Sequence, residues 1–116
     1  MAAAGPRIEF LWWRECPSSD RALELLRGEV AAAGLDPAAV EVSEVAAEAD
    51  AERLRFPGSP TIRVNGADVD PGAADGQPFG LTCRVYRRAD GRVSPLPDSG
   101  RIRAALLAAS KGNPGE

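Results

Sequence analysis

The chain has 116 residues, 44 % of them apolar and 27 % charged, which suits one ordinary globular domain. Its 14 basic and 17 acidic residues leave a net charge of −3, so it carries no basic footprint for nucleic acid. With no histidine and only two cysteines, Ser–His and Cys–His catalysis, histidine metal sites and four-cysteine zinc sites are all excluded.

Residues 1–6 read as a disordered start without the basic n-region and apolar core of a signal peptide. No apolar run approaches the roughly 20 residues of a membrane span. The expected compartment is the cytoplasm, where two cysteines do not make a structural disulfide framework. One domain is expected over 7–110, with a frayed tail over 111–116.

Ile8 to Trp13 is an apolar, aromatic run that predicts a buried strand. Ala22, Leu23, Leu26, Val30 and Ala33 then recur at helical spacing. Pro17 fits a first helical position and Gly34 a C-terminal cap, so a helix is expected from Cys16 to near Gly34. Val40, Val42 and Val45 mark a second strand. Ala46 to Phe56 predicts a helix with Ala51 and Leu54 on its apolar face, ended by Pro57-Gly58. Thr61 to Val64 is a third strand, and Asn65-Gly66 after it signals a hairpin. Asp70 to Gly80 reads as an exposed loop.

Leu81 to Arg87 alternates Leu81, Cys83 and Val85 against Thr82, Arg84 and Tyr86, which predicts a fourth strand with Cys83 facing inward. Asp98 or Ser99 caps a last helix with Ile102, Leu106 and Ala109 on one face. The order βαβα–ββα predicts an α/β fold: a mixed four-stranded sheet with helices on both faces and the fourth strand antiparallel to the third.

Three places carry chemistry. Cys16, in Cys16-Pro17-Ser18-Ser19, stands between a strand and a helix, where free N–H groups and the helix dipole favour a thiolate. A small buried core residue is the other reading of it. Gly58-Ser59-Pro60-Thr61 directly precedes a strand. Cys83 reads as a packed core cysteine, and alternatively as a distant resolving thiol for Cys16. Asp68, Asp70 and Asp75 read as a solvated loop rather than a hard-metal cluster. Arg84, Arg87 and Arg88 read as a solvated strand edge.

A strand, a Cys-Pro-x-x helix start, a second βα unit and Ser-Pro-Thr before a hairpin together resemble the thioredoxin and glutaredoxin superfamily. The resemblance covers roughly Ile8 to Ala109. It implies a thioredoxin-like fold in which Cys16 is the nucleophile and Pro60 is cis and packs beside it. It also implies a substrate side formed by Trp13, Pro17, Ser59 and Thr61. Ser19 stands where the second cysteine of the motif would be, so a local disulfide is ruled out. The chain is also similar to small bacterial thioredoxin-family proteins often labelled alkylmercury lyase, through Gly58–Thr61, Val64–Gly66 and Cys83–Tyr86. That label implies two cooperating thiolates and an acid, for which Cys16, Cys83 and Asp20 are the candidates.

The expected function is monothiol redox or thiol-transfer chemistry through Cys16, with a low-molecular-weight thiol or a protein disulfide as partner and no cofactor. The alternatives are a non-catalytic module binding a partner or a soft metal at Cys16, and carbon–mercury cleavage. The predicted topology separates Cys83 from Cys16, so no native disulfide between them is expected.

Overall fold

A computed structural model of the chain describes residues 5–74, 76–88 and 90–111. Residues 1–4 of the expected disordered start and 112–116 of the expected tail lie outside the described residues. The elements are β1 (Ile8–Trp12), α1 (Ser19–Ala32), β2 (Glu41–Glu44), α2 (Glu48–Arg53), β3 (Thr61–Val64), β4 (Ala67–Asp68), α3 (Pro71–Ala74), β5 (Tyr86–Arg87), β6 (Val93–Ser94) and α4 (Ser99–Lys111). The first four strands form one mixed sheet in the order β2-β1-β3-β4, and β5 pairs with β6 separately. β1 runs parallel to β2 and antiparallel to β3, so Phe10 lies opposite both Val42 and Ile62. The parallel pair requires a crossover, and α1 supplies it.

Alternation along β1 sends its apolar residues to two cores. Ile8 and Phe10 join Ile62 and Val64 of β3 against Ala22, Leu26 and Val30 of α1 and Ile102 and Leu106 of α4. Leu11 turns to the other face and packs with Val45, Ala51 and Phe56, under α2. Helices therefore cover both faces of the sheet. Among the described residues no helix is long and apolar enough to cross a membrane.

α1 begins later than the sequence predicts. The Cys16 N–H is already spent on the Trp13 carbonyl at 2.9 Å, which closes a turn, and the first helical bond runs from Ala22 N–H to Ser18 O at 3.0 Å. Ser18 takes the N-cap position, so Pro17 precedes the helix instead of opening it. The far end matches expectation: Gly34 N–H bonds Ala31 O and Leu35 N–H bonds Val30 O, both at 3.0 Å, the Schellman pattern.

The hairpin signal is also met. Asn65 (φ 51°) and Gly66 (φ 83°) form a two-residue loop between β3 and β4, as type I′ geometry requires. This short loop makes β4 the fourth strand of the sheet, which corrects the assignment to Leu81–Arg87. The facing of that later run is also reversed. Arg84 and Tyr86 are buried, at 2 % and 0 % exposure, whereas Val85 is 58 % exposed. Tertiary partners decide which side of the alternation faces inward. Asp68 waits inside for the Arg84 guanidinium, and the Tyr86 hydroxyl donates to the Pro60 carbonyl.

Candidate functional site

Cys16 sits in the turn ahead of α1 and is only 5 % exposed. Its Sγ lies 3.3 Å from Ser18 Oγ and donates to the Ser59 carbonyl at 3.5 Å. Ser59 reaches this position because it lies in the loop that leads into β3, antiparallel neighbour of β1; its peptide bond to Pro60 is cis. Ser59 Oγ accepts from Trp13 N–H at 3.0 Å, which leaves the hydroxyl proton free for the sulfur.

Burial pushes the Cys16 thiol up. The hydrogen bonds of the Ser18 and Ser59 side chains, of the Ser18 backbone and of Cys83 outweigh it, so the pKa falls below the ordinary value. Ser18 Oγ also donates to Pro95 O at 3.3 Å, so this hydroxyl can accept from the thiol and turn its proton onto the thiolate.

Cys83 stands beside the same serine. Ser59 N–H donates to Thr82 O, and Arg84 N–H donates to Ser59 O, each at 2.8 Å; Ser59 and Cys83 thus form a parallel bridge. Cys83 is exposed, and both cysteines are free thiols. Burial, the charge of Cys16 and a hydrogen bond from it raise the Cys83 pKa. The expectation of a buried core cysteine remote from Cys16 is therefore corrected. It assumed a strand antiparallel to β3 that starts at the far end. The chain instead returns to the Ser59 end and runs parallel to it.

What pins this segment is a buried charge network. Arg84 gives Asp68 two hydrogen bonds, of 2.7 and 2.8 Å, and adds Thr61 Oγ1 at 3.2 Å and Asp70 O at 2.8 Å. Its guanidinium lies 4.5 Å from the centre of the Tyr86 ring. Burial works against the Arg84 charge, but Asp68, Tyr86 and Asp70 hold it, and the pKa rises. Gly58 completes the fit. A Cβ there would stand 3.0 Å from Arg84 Cβ, and φ is +134°.

The other candidate residues divide. Ser19 is buried and its hydroxyl donates to the Cys16 carbonyl at 3.1 Å; its neighbour Ser18 is the one that touches the sulfur. Pro60 is buried against the network. Ser59 and Thr61, expected on the substrate side, are fully buried, and the Thr61 hydroxyl donates to Gly58 O at 2.6 Å. Pro17 is exposed, and Trp13 packs half-buried against the Leu11–Phe56 core. Asp20 is exposed in the first turn of α1. Among the described residues no third His, Cys, Asp or Glu joins others in a group able to hold a metal.

Asp68 and Asp70 do not form a solvated loop, since Asp68 pairs with Arg84 and Asp70 is 4 % exposed; Asp75 lies outside the described residues. Arg84 leaves the expected solvated edge, while Arg87 and Arg88 stay exposed. The sequence assigns no site role to Ser18, Gly58, Arg84 or Tyr86, although the Cys-Pro-Ser-Ser, Gly-Ser-Pro-Thr and Cys-Arg-x-Tyr strings contain them.

No protein-family model, curated protein or solved structure matches this chain.

Proposed function

We propose that this is a thioredoxin-like thiol protein that carries out thiol–disulfide exchange through Cys16, with Cys83 as its resolving thiol. One observation carries the reading: two free thiols flank the same residue, Ser59, one buried among hydrogen bonds and the other exposed. The pKa directions agree, because the attacking sulfur needs thiolate character and Cys16 is the one shifted down. The thioredoxin-like assignment is supported by the strand order, by a cysteine just ahead of the first helix and by a cis proline just ahead of β3.

In this reading the Cys16 thiolate attacks one sulfur of a disulfide RSSR′. The Cys16–SR bond forms, the S–S bond breaks, and R′S⁻ leaves and takes up a proton. The Cys83 sulfur, deprotonated, then attacks Cys16 Sγ. The Cys16–Cys83 bond forms and RS⁻ leaves as a thiol. The substrate gains two electrons and the cysteine pair loses them. Two equivalents of a low-molecular-weight thiol return the pair to the reduced state.

Carbon–mercury cleavage is less well supported, because among the described residues no carboxylic acid joins the two thiols in a cluster. The test is intact-mass analysis after adding a small disulfide to the reduced protein. The wild type should lose two hydrogens with no lasting adduct. Cys83→Ser should accumulate a mixed disulfide on Cys16, and Cys16→Ser should form no internal link. A stable adduct on the wild type with no internal link would remove Cys83 from the mechanism. No reaction at Cys16 would end the proposal.

A further inference from the structure

We infer that the substrates of this site are low-molecular-weight disulfides and not extended protein chains, because the chain's own Thr82–Arg84 segment fills the backbone edge where a peptide would dock. This rests on the thiol-exchange reading above and adds a substrate class to it.

An extended peptide held beside a thiol docks by strand addition, which needs an unused N–H and C=O on the receiving backbone. Outside its own turn, the backbone that meets the Cys16 sulfur is that of Ser59, whose carbonyl is 3.5 Å away. Its N–H is given to Thr82 O and its carbonyl receives Arg84 N–H, each at 2.8 Å. Pro60, next along, has no N–H, and its carbonyl takes the Tyr86 hydroxyl. Gly58 O on the other side accepts from the Thr61 hydroxyl at 2.6 Å. No backbone group from Ser59 through Pro60 is left for a guest.

Displacing the segment would require Arg84 to leave Asp68, Thr61 and Asp70 O, and its side chain is 0 % exposed. The chain thus carries its own docked strand, with Cys83 paired opposite Ser59. Access to the sulfur is correspondingly narrow, since Cys16 is 5 % exposed. A compact disulfide needs only a line of approach to one sulfur. A polypeptide needs the edge as well.

The experiment compares two substrates with the same leaving thiol, hydroxyethyl disulfide and an unstructured cysteine peptide carried as its mixed disulfide with 2-mercaptoethanol. Pre-steady-state rates are measured on the reduced wild type, and amide hydrogen exchange is followed at Ser59 and Arg84. The peptide should react roughly tenfold more slowly or worse, a barrier difference of about 1.4 kcal/mol, because the occupied edge and the recessed sulfur keep its backbone away, and both amides should be protected. Arg84→Met, which unpins the segment, should close most of that gap.

Equal rates in the wild type, unprotected amides, or a gap that Arg84→Met leaves unchanged would each overturn the inference. If Arg84→Met does not fold, the two wild-type measurements still decide. If the wild type reacts with neither disulfide, the thiol-exchange reading itself fails, an outcome distinct from equal rates on both.

Discussion

Arg84→Met is the most informative perturbation of the scaffold. The wild-type guanidinium is 0 % exposed and its partner Asp68 is 14 % exposed. Methionine keeps much of the volume but leaves Asp68 largely buried without its counter-charge. It also strips a donor from Asp70 O and the cation from the Tyr86 face. Removing one partner of a buried pair costs about 3–5 kcal/mol, and the partial exposure of Asp68 argues for the lower end, about 3 kcal/mol. For a domain of this size that is a fall in Tm of roughly 12 °C.

Thermal unfolding by circular dichroism reads the loss, and Asp68→Asn completes a double-mutant cycle. Because Asp68→Asn removes the orphaned charge, Arg84→Met should cost much less in that background. A fall in Tm below roughly 4 °C, or strict additivity of the two substitutions, would refute the argument that this pair anchors the segment carrying Cys83.

The other predictions concern the sulfur and its setting. In a Cys83→Ser background, alkylation of Cys16 should titrate below the usual thiol value of about 8.5. A depressed folded-state pKa stabilises the protein above the unfolded value. The stability difference between wild type and Cys16→Ser should therefore be full above about pH 8.5 and shrink as pH falls through the folded pKa; a difference that grows on acidification would contradict this. Ser18→Ala and Ser59→Ala should each raise the Cys16 pKa, read from the same alkylation profile, and an unmoved profile would remove the hydroxyls from the argument. Ser59→Ala also takes the acceptor from Trp13 N–H, a further loss of about 1–3 kcal/mol in chemical denaturation. Gly58→Ala should cost about 1–3 kcal/mol and speed exchange of the Arg84 amide, since the new methyl meets Arg84 at a φ that L-residues avoid; an unchanged Tm would count against that packing.

Where a residue's fate depends on near neighbours in the chain, the sequence alone determined it. The 3.6-residue spacing of Ala22, Leu26 and Val30 specifies a helix and its buried face. Gly34 specifies where that helix stops, and Asn65-Gly66 the tight hairpin, because these positions demand backbone shapes that few residues adopt. The order of elements then fixes a mixed sheet with a crossover helix.

Leu81 to Arg87 shows the limit of that reasoning. Its alternation is real, but period-2 patterning states only that odd and even residues face opposite ways, not which side is the core. Arg84 faces inward because Asp68, 16 residues earlier, is held by the hairpin where both terminal nitrogens of a buried guanidinium find acceptors. Once Arg84 is inside, Cys83 must point out, and the bridge to Ser59 brings it beside Cys16. Two cysteines 67 positions apart in the chain become one site through a charge pair whose contribution exists only after burial lowers the local dielectric. No local pattern encodes that, so only the tertiary structure decided it.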